Sequence, residues 1–145
     1  HPKSRGEITL NSSDPYDYPK ILFNYLKEEE DLKQTRECIH VARKILSQPA
    51  LAEHAGDEVG PGFNAQSDDE LNEYIRSKAD TAYHPCGTCK MGVDDMAVVD
   101  QDLKVNGIGN LRVIDASVIP EIPSANLNAP TLMIAEKGSE AILNN

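Results

Sequence analysis

Between residues 83 and 92 the chain reads Tyr-His-Pro-Cys-Gly-Thr-Cys-Lys-Met-Gly. A proline and two glycines within ten residues exclude a helix or strand interior and impose a loop. His84, Cys86 and Cys89 ride on that loop, so it can hold a titrating imidazole against something reactive. Whatever folds around this stretch has to present it.

The chain of 145 residues is long enough for one domain with a real core. With 39% hydrophobic and 26% charged residues it reads as globular. A net charge of −10 argues against nucleic acid as a partner, because phosphate binding needs a basic face. No apolar run approaches the roughly 18 residues of a membrane-spanning helix, and no signal-peptide pattern opens the chain. Three cysteines do not suggest a disulfide framework, so a reducing cell interior is the default. The opening His1-Pro2-Lys3 carries no initiator Met, which reads as a chain cut from a longer polypeptide or a processed mature form.

Glu7 to Leu10 alternates polar and apolar residues and predicts a short strand, ended by the turn formers Asn11 to Pro15. Ile21 to Leu26 is apolar and partly aromatic, extended or the lip of a pocket. From about Glu29 to Ser47, Leu32, Cys38, Ile39, Ala42, Ile45 and Leu46 fall on one helical face, with Cys38 as a small core residue. Gln48-Pro49 should close that helix. After a glycine-rich loop over 56–66, Ser67-Asp68-Asp69-Glu70 fits a capping box, and Leu71, Tyr74, Ile75 and Ala79 form the buried stripe of a short helix. Beyond the loop, Ala97 to Asp100 and Leu103 to Val105 look like two tightly linked strands, and Leu111 to Asp115 like the best strand of the chain. The proline-rich stretch from Ile119 to Pro130 should be irregular, and Thr131 to Leu143 a closing helix with Pro130 in its first turn. The fold class expected for the chain by itself is α+β, with short strands and incomplete sheets.

Cys86-Gly87-Thr88-Cys89 admits three readings. A thioredoxin-type pair needs a strand before it and a helix after it, whereas here a helix precedes and Lys90-Met91-Gly92 follows. A zinc site would use His84, Cys86 and Cys89, but no His-x-Glu or second cysteine pair completes it, so no metal is expected. Two thiols packed in a tight loop is the reading the residues favour. No Gly-x-Ser-x-Gly elbow supports nucleophilic hydrolysis. His84 alone could be a structural loop histidine. The second half of the chain raises it: Asp115 at a strand's end suits a polyol or ribose hydroxyl. Asn126, Asn128 and Thr131 lead into a helix whose amino end carries about half a positive charge. A base, a polyol-binding acid and an anion-stabilising helix end fit a bound flavin.

The series His84-Pro85-x-Gly87-Thr88-Cys89-x-Met91-Gly92, Val98-Val99-Asp100, Leu111 to Ser117, and Asn126-x-Asn128-Ala129-Pro130-Thr131 resembles the glucose-methanol-choline (GMC) oxidoreductases in order and spacing. The likeness runs from Ser4 to Ile142 and corresponds to that family's carboxyl-terminal region. It implies a chain shared between an antiparallel-sheet substrate domain, over 1–82, and an FAD-binding Rossmann-like α/β domain, over 83–145. It further implies His84 as the base acting on the substrate hydroxyl and Asn126 as its hydrogen-bonding companion. Asp115, Ala116, Asn128 and Thr131 are the implied FAD contacts. Ile21 to Tyr25, together with Cys86 and Lys90, is most similar to the family's choline-oxidising members. Choline is therefore the implied substrate, a respiratory quinone the implied electron acceptor, and a position peripheral to a membrane an implied location; the alternatives are a family member acting on another primary alcohol or a sugar, or a non-catalytic chain without flavin. Ala125 stands where the family usually has glycine, and the family's Gly-x-Gly-x-x-Gly pyrophosphate turn has no counterpart in this chain, so FAD binding requires an amino-terminal part of the same polypeptide.

Overall fold

A computed structural model describes residues 1–144. The chain divides into two compact units, Pro2–Asp80 and the segment from Thr81 onward, to which His1 also belongs. Among the described residues, secondary structure consists of a two-stranded sheet, four α-helices and one 3-10 helix, the α+β mixture expected.

In the first unit, β1 (Glu7–Thr9) pairs antiparallel with β2 (Lys20–Leu22) in the register Glu7 to Leu22, Ile8 to Ile21 and Thr9 to Lys20. Gly6 leads into the hairpin where a Cβ would run into the carbonyl oxygens of Leu22 and Phe23, so only glycine lets the two backbones approach this closely. Phe23 and Tyr25, the expected pocket lip, stack on each other with ring centroids 5.1 Å apart and 19° between planes, and both stay half exposed.

α1 (Glu29–Leu46) begins with Glu29, Glu30 and Asp31 and ends with Arg43 and Lys44, a charge order that complements the helix dipole. It packs against α3 (Asp68–Lys78), and Leu32, Leu71 and Ile75 form the buried seam. The guanidinium of Arg36 ties the same crossing to the Asn72 side chain at 2.5 Å and to Asp68 at 3.5 Å. This seam covers only the first half of α1. Ile39 is half-buried, whereas Cys38, Ala42, Ile45 and Leu46 are exposed within this chain. Cys38 is thus not the core residue its periodicity suggested: the apolar face is real, but α3 crosses it too early to reach Cys38. Pro49 does more than end α1, since it opens a one-turn helix, α2 (Pro49–Ala52), from the first helical position where its missing N–H costs nothing.

The loop over 56–66 is pinned by Arg43. Its guanidinium donates to both Glu58 carboxylate oxygens (2.9–3.1 Å), the Gly62 carbonyl (3.1 Å) and the Ala65 carbonyl (3.0 Å). The capping box forms as expected: the Glu70 amide donates to the Ser67 hydroxyl oxygen, and the Ser67 amide donates back to the Glu70 carboxylate at 2.9 Å. The Ser67 amide and hydroxyl, with the Gln66 amide, hold the Glu70 carboxyl below its ordinary pKa. Ala79, expected in the buried stripe, is exposed at the end of α3.

In the second unit the core is Val99, Leu103, Val118, Ile119, Leu127 and Ile134, with Cys86, Met91, Val113 and Ile114 packed around it. The three strands expected here are replaced by isolated bridges, Met91 to Val99, Val99 to Val105 and Lys104 to Arg112. The residues are as extended and apolar as the sequence indicated. Leu111 to Asp115, however, finds as partner only the short segment at Leu103–Val105, which Asn110 and Gly107 turn back with φ of 61° and 78°. A strand is a paired object, and three residues of partner give a bridge rather than a ladder. α4 (Asn128–Leu143) starts three residues before the expected Thr131, because Pro130 fits inside a first turn whose amides have no intrahelical partner. Gly138 is buried where α4 crosses Ile114, and a Cβ there would lie 2.5 Å from Ile114 Cγ2. No helix among the described residues is long and apolar enough to cross a membrane.

Candidate active site

Backbone hydrogen bonds fasten the loop at 83–92 to the segment at 117–118. The Cys89 amide donates to the Ser117 carbonyl at 3.0 Å and the Met91 amide to the Val118 carbonyl at 2.8 Å. Gly87 has φ +87°, and a Cβ on it would sit 3.3 Å from the Ile119 carbonyl oxygen. Glycine is required there both for the left-handed turn and for the close approach. The next turn closes through the Lys90 amide and the Gly87 carbonyl at 3.2 Å. Tyr83, at φ 59°, is an exposed aromatic residue in the left-handed region, with its amide on Thr81 Oγ1 at 3.0 Å. His84 follows it half-buried.

Lys90 Nζ closes the far side of the loop on both oxygens of Asp94 at 2.9 Å. That hydrogen bond, and then the Met96 amide at 3.0 Å, hold the Asp94 carboxyl below its ordinary pKa. Cys86 and Cys89 are half-buried, Cys86 against the Val99–Val118 core. Among the described residues no three His, Cys, Asp or Glu side chains are grouped to hold a metal ion.

Asp115 lies at the end of an extended segment and caps the 3-10 helix Ala116–Val118, its Oδ1 accepting from the Ser117 amide at 2.7 Å. The residue is exposed, and a carboxylate has capacity left to accept from a hydroxyl donor. The 3-10 helix packs against α4. The amino end of α4 has Leu127 at the cap position and no side-chain cap. Asn128 and Ala129 there contribute backbone amides that an anion can satisfy, while Pro130 contributes none. Asn126 and Asn128 are exposed at this end. Thr131 is half-buried, and its hydroxyl and its amide both donate to the Leu127 carbonyl, at 2.7 and 2.9 Å; only the acceptor side of its hydroxyl is left for a ligand.

One scaffold thus links the loop of His84, the turn of Asp115 and Ala116, and the uncapped end of α4 with Asn126, Asn128 and Thr131. The supports at its centre, the carbonyls of Ser117 and Val118, were not legible in the sequence, because a backbone acceptor leaves no side-chain signature.

The GMC oxidoreductase family model matches residues 2–135. Over 139 residues, the chain is 52% identical to an oxygen-dependent choline dehydrogenase of Klebsiella pneumoniae and 50% identical to one of Escherichia coli, in each case over 96% of this chain and 25% of the relative. The chain therefore spans about a quarter of the length of the curated relatives it matches. Among solved structures, pyridoxine 4-oxidase from Mesorbium loti superposes with a TM-score of 0.89 at 32% identity, covering 100% of this chain and 28% of that one. A formate oxidase of Aspergillus oryzae RIB40, studied for FAD modification, gives 0.89 at 34% identity over 96% of this chain and 24% of its own. The match over residues 2–135 settles the family: this chain belongs to the GMC oxidoreductases.

Proposed function

We propose that this chain is the carboxyl-terminal part of an FAD-dependent dehydrogenase that oxidises choline to betaine aldehyde. Residues 1–82 belong to its substrate-binding domain, and residues 83–145 supply the active-site loop and the last part of its FAD-binding domain. The observation that carries the reading is the shared scaffold: the His84 loop hangs by two backbone hydrogen bonds on the turn that leads from Asp115 toward the uncapped end of α4. Identity of 52% to an oxygen-dependent choline dehydrogenase supports the substrate.

The residues present fit a flavin. The uncapped end of α4 offers amide donors to a negatively charged group, and the exposed carboxylate of Asp115 suits a ribityl or ribose hydroxyl. Asp115, Ala116, Asn128 and Thr131 would hold the cofactor, together with an amino-terminal part of the polypeptide carrying the pyrophosphate turn. When bound, FAD supplies a hydride acceptor.

His84 takes or shares the proton of the substrate hydroxyl as the C–H bond weakens. Asn126 donates a hydrogen bond to the same oxygen and fixes its orientation. The amino end of α4 favours the negative charge that develops nearby. A respiratory quinone serves as the electron acceptor, with the full protein inside the cell and peripheral to a membrane.

The test is anaerobic mixing of the full-length protein with choline while the oxidised flavin band is followed. Choline should bleach the band faster than glucose or a long-chain alcohol. Bleaching by either of those but not by choline would refute the substrate. Reoxidation by a quinone analogue compared with dioxygen then decides the acceptor.

A further inference from the structure

His84 lies between two residues that restrict the backbone from either side. Pro85 disfavours the helical region for the residue before it and so biases His84 toward extended conformations. Tyr83, on the other side, has φ 59°, in the left-handed region where a bulky side chain crowds the backbone. Two other non-glycine residues of this unit share that region: Leu103, which is buried in the core, and Asn110, a residue type that tolerates it. Neither reason applies to Tyr83, which is 78% exposed. Its hold is local: the Tyr83 amide donates to Thr81 Oγ1 at 3.0 Å. A hydroxyl that accepts from the amide two residues on closes a turn, and the β-branched stem of threonine confines where that oxygen can stand. One such hydrogen bond contributes about as much as the left-handed conformation costs, so it decides which way Tyr83 turns. The ends of the stretch are set independently, since Thr81 is half-buried and Cys86 packs against the Val99–Val118 core. Between them lie Ala82, Tyr83, His84 and Pro85, and the ring of Pro85 locks its own φ. If Tyr83 relaxes toward an extended conformation, Ala82 and His84 absorb the change, and the imidazole moves with it.

We propose that Thr81 is a positioning residue for the reaction: by accepting the Tyr83 amide, its hydroxyl oxygen keeps Tyr83 left-handed, and Tyr83 in turn sets where the His84 imidazole stands. The inference rests on His84 as the group that takes the substrate's hydroxyl proton. Thr81 acts through one main-chain turn and touches neither substrate nor flavin in this role. Removing its hydroxyl therefore lowers the rate of the chemical step at saturation and leaves substrate affinity in place.

The test uses the full-length holoenzyme, mixed anaerobically with choline while flavin reduction is followed. Thr81→Val keeps the branched shape and removes the acceptor, whereas Thr81→Ser keeps the acceptor. At saturating choline, Thr81→Val should slow flavin reduction about tenfold, the scale on which small misplacements of a catalytic group act. Its flavin content and choline affinity should match wild type. Thr81→Ser should stay within about twofold of the wild-type rate, because its hydroxyl can still accept the Tyr83 amide. In a His84→Ala background, adding Thr81→Val should change the rate by less than about twofold, since the two substitutions act on one group and cannot add. A wild-type rate in Thr81→Val overturns the proposal. So does a serine variant as slow as the valine one, or an equal slowing with and without His84, which would mark a purely structural role. Should Thr81→Val fail to hold flavin, Thr81→Ala is read by the same criteria. A wild-type rate in His84→Ala by itself refutes the assignment of the base, whereas a slow His84→Ala beside a fast Thr81→Val refutes the positioning role alone. If choline does not bleach the wild-type flavin, the substrate reading fails and the same comparison runs with the alcohol that does.

Discussion

Replacing Asp31 by alanine should loosen the amino-terminal segment from α1 and destabilise the first unit by about 3 kcal/mol. Asp31 is only 6% exposed, the one charged side chain buried among the described residues. Its Oδ1 accepts the Lys3 amide at 2.7 Å and its Oδ2 the Ser4 amide at 2.8 Å. The Ser4 hydroxyl adds a third hydrogen bond, while its oxygen accepts the Glu28 amide at 3.0 Å. Hydrogen bonds to a charged partner contribute about 1.5–3 kcal/mol each. Three such bonds sharing one carboxylate are not additive, and the freed amides can recover water when the segment lifts, which brings the sum down to about 3 kcal/mol.

Burial pushes the Asp31 carboxyl up, but the Lys3 amide, the Ser4 hydroxyl and amide, and the charge of Arg5 together outweigh it, so the folded pKa lies below the ordinary value. A depressed folded pKa means the contribution is whole above the unfolded carboxylate value of about 4 and is lost as pH falls through the folded one. Urea titration of the 145-residue chain at pH 7 and at pH 3, with hydrogen exchange at the Lys3 and Ser4 amides, measures both claims. Asp31→Ala should lower the midpoint at pH 7 and speed exchange at both amides, and the difference from wild type should shrink at pH 3. A variant within about 0.5 kcal/mol of wild type at pH 7, the range of ordinary surface substitutions, would show that the clamp contributes little. So would unchanged exchange at Lys3 and Ser4.

In the full-length enzyme, His84→Ala should slow flavin reduction by choline about 10²-fold or more, the size of a general-base contribution. Asn126→Ala should cost less, as it removes a positioning hydrogen bond, and stopped-flow absorbance ranks the two. Gly138→Ala places a methyl against Ile114 Cγ2 and Cδ1, at 2.5 and 2.8 Å. It should destabilise by about 1–3 kcal/mol, and pairing it with Ile114→Val should recover part of that loss in a thermal melt. Ser67→Ala opens the capping box of α3 and should cost about 1 kcal/mol, read as a lower urea midpoint at neutral pH.

Elements whose cause is local were legible in the sequence. α1 and α3 followed from 3.6-residue spacing, the start of α3 from a capping box formed by four consecutive residues, and the loop at 83–92 from its own proline and glycines. The ordered motifs around His84, Asp115 and Asn126 were enough to indicate the family. Tertiary structure decided whatever depends on a partner distant in sequence. Periodicity marked an apolar face on α1, but only the crossing point of α3 decided that Leu32 is buried and Cys38 is not. Leu111 to Asp115 has strand-forming residues, yet a ladder needs a partner of matching length, and the turn at Gly107–Asn110 leaves too little of one. The clamp on Asp31 and the support under the His84 loop were invisible for a related reason. Their donors and acceptors are backbone groups of Lys3, Ser4, Ser117 and Val118, which every residue carries and which only the fold can aim.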